Sequence, residues 1–178
     1  MAIKFSVYIA TSLDGFIARP DGSLDWLPQA APDGEDYGYR AFSDSIDTVV
    51  MGRGTYEKVL TFGDWPYKTK RTVVLSSGPV AIRDDLKLLV EASSLAPRAL
   101  AEHLEATGSK SVYVDGGKTI QSFLQAGLID EITLTTVPVL IGAGLPWFGP
   151  LGRDVHLELV SSRAYASGLV QSTYVVRR

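Results

Sequence analysis

The sequence has no cysteine, and only two histidines and two methionines. Without cysteine there is no disulfide, thiolate zinc site, iron–sulfur cluster or thiol nucleophile. His103 and His156 stand apart, with no HExxH spacing, so no metal is expected. A basic excess is missing too: 17 Lys and Arg stand against 20 Asp and Glu, net −3. That is the wrong sign for a phosphate-backbone binder, so nucleic acid is not an expected partner. Apolar stretches end after about nine residues, too short for a membrane span. Phe5–Leu13 is interrupted by Asp14-Gly15 and no cleavage-site pattern follows. The expectation is a cytoplasmic protein without a membrane partner.

What is present is enough for a core. The 178 residues are 46% hydrophobic and 21% charged, which reads as one globular domain over 1–178. Strand signals fall at Ile3–Ala10, Asp47–Met51, Arg71–Leu75, Ser111–Val114 and Ile129–Val137, with a weaker one at Leu86–Val90. Helical signals fall between them, at Asp36–Ser43, Thr55–Leu60, Ala96–Ala106 (with Ser94 as cap and Pro97 in the first turn) and Lys118–Gln125. A turn-rich stretch from Asp14 to about Gly34 reads as a functional loop. Val155–Ser162 and Leu169–Val176, joined at Ala166-Ser167-Gly168, read as a closing hairpin. Strands alternating with helices predict α/β, a mostly parallel sheet with an antiparallel edge and flanking helices.

Several motifs fail. Gly117-Lys118-Thr119 has Val112 where a P-loop needs its first glycine. Gly142-Ala143-Gly144 lacks the third glycine of a Rossmann fingerprint. No GxSxG elbow is present. Three strand-to-turn junctions remain: Val49–Tyr56 around Gly52-Arg53-Gly54-Thr55, Val73–Ser77 ending in two serines, and Val112–Thr119 around Gly116-Gly117. A helix start exposes unpaired N–H groups and partial positive charge, Arg53 adds a donor fork, and paired glycines let phosphate approach the backbone. In this order, each at the carboxyl end of a strand, they point to a bound dinucleotide.

That order carries a resemblance. VVMGRGTYE resembles the cofactor motif of dihydrofolate reductases, and VVLSS the strand that follows it. VDGGKTIQSFLQAGLIDEITLTTVPVLIGAG resembles the reductase domain of bifunctional riboflavin-biosynthesis deaminase–reductases. SVYIATSLDGFIARPDGSLDWL is similar to the first strand and mobile loop of the same superfamily. The likeness runs from Ile3 to about Val176, and the chain looks like a stand-alone reductase domain.

The resemblance implies an eight-stranded dihydrofolate reductase-like fold that binds NADPH. Ala10 and Ile17 would line the nicotinamide; Gly52, Arg53, Gly54 and Thr55 would hold the pyrophosphate side. Ser76 and Ser77, with Arg53, would meet the 2′-phosphate. Gly116 and Gly117, joined by a cis peptide, would meet the pyrophosphate, with Lys118 and Thr119 also facing phosphate. For the substrate carboxylate, an ungapped count from VVMGR reaches Asp36, whereas aligning Phe42 moves the match to Gly38. Asp115 stands where the riboflavin-type reductases have a glutamate. A substrate phosphate would call on Arg19, Arg40 or Lys58. The implied activity is that of a 5-amino-6-(5-phosphoribosylamino)uracil reductase acting on a small-molecule substrate as a homodimer. The alternatives are dihydrofolate reduction and a non-catalytic nucleotide-binding module.

Overall fold

The computed structural model describes residues 2–28 and 34–177. In chain order the elements are β1 (Lys4–Ser12), β2 (Phe16–Ala18), α1 (Tyr39–Ser45), β3 (Thr48–Gly52), α2 (Arg53–Leu60), β4 (Arg71–Leu75), β5 (Val90–Ser93), α3 (Pro97–Ala106), β6 (Ser111–Asp115), α4 (Gly117–Gln125), β7 (Glu131–Val137), β8 (Leu145–Pro146), β9 (Leu157–Ala164) and β10 (Val170–Val176). Eight strands form one sheet in the order β5-β4-β3-β6-β1-β7-β10-β9. The first six in that row are parallel, and β10 pairs antiparallel with both β7 and β9. β2 and β8, too short to leave a sequence signal, pair separately.

The parallel strands are apolar on both faces because helices cover both. On β3, Val50 faces a cluster with Phe5, Val114, Leu100, Leu104, Ile120 and Phe123, which brings in α3 and α4. Its neighbours Val49 and Met51 face the opposite cluster with Tyr56, Val59, Val74 and Tyr113, which brings in α2. The period of two along a single strand thus fixes the three layers.

Some local expectations are corrected. Leu86–Val90 is not a strand: Asp84–Leu86 form a 3₁₀ turn and β5 begins only at Val90. Ser94 does not cap α3; Ala96 occupies that position with Pro97 next to it, and no side chain bonds the helix start. α1 starts at Tyr39 instead of Asp36, because the Asp36 carboxylate binds the Gly38 and Arg40 N–H groups and forms the turn before the helix. The expected loop is described except for residues 29–33, which lie outside the described residues. Asp14 anchors its start, accepting from the N–H groups of Ile141 and Gly142 at 3.2 and 2.8 Å.

The far edge of the sheet is unlike the rest. All eight residues of β9 are exposed, including Leu157, Leu159 and Val160. No helix among the described residues is long and apolar enough to cross a membrane.

Candidate active site

The carboxyl ends of β1, β3, β4, β5 and β6 open into one cleft of about 1480 Å³. That exceeds the roughly 300–1,000 Å³ of a pocket for one drug-sized molecule, so there is room for a dinucleotide and a second compound. The position follows from topology: β6 returns to lie between β3 and β1, and the crossovers leave on opposite faces of the sheet there.

Three helices begin at this cleft without side-chain caps, and two of them start after a glycine. α2 starts after Gly52 and α4 after Gly116, so both leave unpaired N–H donors at the cleft. The two turns interlock. A β-carbon on Gly116 would lie 2.2 Å from Thr55 Oγ1, and one on Gly52 would lie 3.1 Å from Thr119 Oγ1. Each glycine therefore faces the threonine of the other turn. Gly116 also has φ +90°, which side-chain-bearing residues rarely adopt. A β-carbon on Gly117 would meet the Pro146 carbonyl at 2.8 Å, which brings the β2–β8 ribbon against the start of α4. No cis peptide occurs among the described residues, so the expected cis Gly116–Gly117 bond is corrected: the positive φ of Gly116 makes the turn.

Ala10, Ile17, Gly52, Arg53, Gly54, Thr55, Ser76, Ser77, Gly116, Gly117, Lys118 and Thr119 all line this cleft. Ser76 and Ser77 follow β4, whose end is fixed by the Ser76 N–H bonded to the Ser93 carbonyl at 3.0 Å. Arg53 lies beside that turn: a β-carbon on Gly78 would sit 3.8 Å from its guanidinium. Its only ion pair among the described residues is with exposed Glu57, at 3.7 Å. The donor set fits a phosphorylated dinucleotide: uncapped helix starts, a guanidinium and two hydroxyls surround backbone that no side chain fills.

The other half of the cleft is aromatic around one carboxyl group. Tyr67 Oη donates to Asp115 Oδ2 at 2.9 Å, and the Gly116 N–H donates to Oδ1 at 2.8 Å. Burial pushes the Asp115 carboxyl above the usual carboxylate range, and these bonds offset only part of that. Burial also pushes the Tyr67 phenol well above the ordinary tyrosine value, so it stays a donor at neutral pH. Tyr113, two residues before Asp115 on β6, donates to the Tyr8 carbonyl at 2.9 Å. Tyr8 stacks on Phe42 at 4.7 Å and is pushed by burial to about 12. Tyr39, at the start of α1, completes this wall.

Asp36 does not reach the wall. It is exposed, outside the cleft lining, and both its oxygens are held by the start of α1. The carboxyl group set among the cleft's aromatic residues is Asp115. Its spacing from Tyr113 on an alternating strand was a usable signal for a shared face. Tyr67 had none, since it lies in an irregular segment between α2 and β4.

Comparisons with known proteins agree with this geometry. The sequence model of the family described as "RibD C-terminal domain" matches residues 4–171. YwjB of Bacillus subtilis (strain 168), itself uncharacterised, is 35% identical over 178 residues, covering 98% of this chain and 99% of its own. The riboflavin biosynthesis protein RibD of Corynebacterium ammoniagenes is 30% identical over 149 residues, 76% of this chain; the match spans only 43% of that protein. A crystal structure from Shewanella sp. PV-4, provisionally assigned to riboflavin biosynthesis, superposes with TM-score 0.93 at 38% identity over 99% of this chain and all of that one. The Thermotoga maritima deaminase/reductase shares the fold at TM-score 0.76 and 17% identity, covering 99% of this chain and 57% of that one. The chain is a dihydrofolate reductase-like protein and belongs to the RibD C-terminal domain family.

Proposed function

We propose that this protein is an NADPH-dependent reductase acting on a pyrimidine- or pterin-like compound, in the manner of a 5-amino-6-(5-phosphoribosylamino)uracil reductase. The observation that carries the reading is the interlocked pair of uncapped helix starts, with Arg53, Ser76 and Ser77 on one side and Asp115 on the other. When bound, NADPH would supply a hydride from the nicotinamide C4 to the carbon of an electron-poor C=N, including ribosyl C1 in its ring-opened imine form, and the C=N π pair moves onto nitrogen.

The residues divide the remaining work. Gly52, Gly54, Thr55, Gly116, Gly117, Lys118 and Thr119 hold the pyrophosphate side, and Arg53 with Ser76 and Ser77 reads the 2′-phosphate. Ala10 and Ile17 place the nicotinamide through backbone and apolar contact. Asp115, held by Tyr67, binds the N–H edge of the substrate ring and delivers the proton that balances the hydride at nitrogen. Tyr8, Tyr39 and Tyr113 flank a flat ring, and the loop from Asp14 to Pro28 excludes water. Dihydrofolate reduction is the weaker alternative, since the pterin-pairing position expected at Asp36 lies outside the cleft.

A homodimer joined through the late strands fits the same reading. β9 leaves both its backbone edge and Leu157, Leu159 and Val160 uncovered, and a second copy would bury them.

The deciding experiment is calorimetric titration with NADPH and, separately, NADH. Micromolar NADPH binding with NADH at least about tenfold weaker, 1.4 kcal/mol, supports the reading. No heat and no thermal stabilisation from either would overturn it. Tight binding with no turnover on any pyrimidine or pterin would leave a nucleotide-binding module.

A further inference from the structure

The tyrosine wall of the cleft is held by a residue that does not border the cleft. On β1, Val7 and Ile9 face the cluster on one side of the sheet, so Tyr8 and Ala10 share the other face, and both border the cleft. β7 lies beside β1 with Thr135 opposite Ala10, and β10 lies beyond it with Gln171 opposite Thr135. From there the Gln171 amide reaches across β7. Its Nε2 donates to Thr135 Oγ1 and to Tyr8 Oη, each at 2.9 Å, and its Oε1 accepts from Tyr165 Oη at 3.3 Å. Both amide protons and the amide oxygen are therefore engaged, and Gln171 lies outside the cleft lining.

Tyr8 Oη passes the connection on by donating to the Tyr37 carbonyl. Tyr37 has φ +55° and Gly38 has φ +83°, two left-handed residues in succession. A side chain at such a φ is costly and persists only where several contacts hold it. Here Glu35 Oε1 accepts the Tyr37 N–H at 2.9 Å, and the Tyr165 ring meets the Tyr37 ring edge-on at 4.8 Å. The turn leads straight into Tyr39, which packs against Tyr8 at 5.7 Å and borders the cleft.

We propose that Gln171 is a positioning residue for the substrate: by fixing the Tyr8 hydroxyl it sets the Tyr8–Tyr39 wall against which a flat ring binds. This rests on the reductase reading and extends it to a strand outside the cleft. Because the amide donates to Tyr8 Oη, the phenol's own proton is left for the Tyr37 carbonyl, and the ring and the strained turn are locked together. Removing the amide frees that hydroxyl and takes away the sheet-side hold on the turn before Tyr39. A glutamine that served only the stability of the sheet would leave ligand affinity unmoved, which sets the test.

The experiment is calorimetric binding of 5-amino-6-(5-phosphoribosylamino)uracil and of 7,8-dihydrofolate to NADPH-saturated wild type, Gln171→Leu, Tyr8→Phe and the double variant. NADPH is titrated separately into each. Gln171→Leu should weaken whichever ring probe the wild type binds by about five- to tenfold, the worth of one buried hydrogen bond, with the NADPH dissociation constant unchanged. Tyr8→Phe keeps the ring and removes only the hydroxyl, so it should show the same loss, and the double variant should lose no more than either single one. Unchanged probe affinity in Gln171→Leu, an equal loss of NADPH affinity, or losses that add in the double variant each overturn the role. If Gln171→Leu does not fold, unchanged probe affinity in Tyr8→Phe overturns it and a loss confined to the ring probe supports it. A probe that binds, weakens with Gln171→Leu and never oxidises NADPH overturns the reductase reading and leaves the positioning role standing. A wild type that binds NADPH and neither probe overturns both.

Discussion

Gly116 and Thr55 meet so closely that no β-carbon fits between them: one on Gly116 would lie 2.2 Å from Thr55 Oγ1. Gly116 also carries φ +90°, so sterics and backbone demand glycine for separate reasons. Gly116→Ala should cost roughly 1–3 kcal/mol for the backbone alone. It should also weaken NADPH binding, because relieving the contact pushes α2 and α4 apart. Adding Thr55→Ala should recover part of the stability but not the affinity. Urea unfolding and cofactor titration on the two variants check this.

Arg53 is the charge partner proposed for the 2′-phosphate. Arg53→Gln should weaken NADPH by roughly ten- to hundredfold, the worth of a charge-assisted contact, and NADH much less. An equal loss for both cofactors would move Arg53 from the 2′-phosphate to the pyrophosphate.

Asp115 makes a prediction about pH. Burial raises its native pKa, so the folded chain keeps this proton to higher pH than the unfolded chain does. Its contribution to stability is full below the ordinary carboxylate value, near 4, and is lost as pH rises through the raised native value. Asp115→Asn escapes that loss. The variant should melt higher than wild type at pH 8, with the gap closing in acid, while turnover falls by about 10²–10⁴. Thermal melts from pH 4 to 8 beside NADPH oxidation assays separate the two effects.

Asp36 provides the contrast. Its carboxylate serves the Gly38 and Arg40 N–H groups in full solvent. Asp36→Asn should therefore lower stability slightly and leave turnover within twofold, as read by steady-state kinetics.

The exposed β9 edge predicts an assembly. Light scattering should give a particle twice the 19.2 kDa chain, and Leu159→Lys with Val160→Lys should return it to a single chain. A wild-type monomer across the micromolar range would remove the dimer.

The contrast between Asp36 and Asp115 also shows what a sequence displays. Gly52-Arg53-Gly54-Thr55 and Gly116-Gly117-Lys118-Thr119 were legible because strand, turn and helix start follow one another within a few residues. Their shared cleft follows from the strand order alone. The carboxyl group was harder to find, because its surroundings come from three distant segments. Tyr67 reaches Asp115 across 48 positions from a segment with no periodicity. Asp36 carried the stronger local pattern, an acid before a helix, and that pattern described only its own turn. The strands of the central sheet were readable for a related reason. Val49, Val50 and Met51 are buried on both faces, whereas β2 and β8 are too short to repeat anything.

The helix starts at Gly52 and Gly116 have a consequence for the lifetime of the molecule. Each presents backbone donors that no side chain caps. A ligand that fills them binds the native chain and not the unfolded one, at 100 times its dissociation constant shifting the balance by about 2.7 kcal/mol. Resistance to proteolysis should therefore rise with the concentration of the proposed dinucleotide, oxidised or reduced, since both carry the same phosphates.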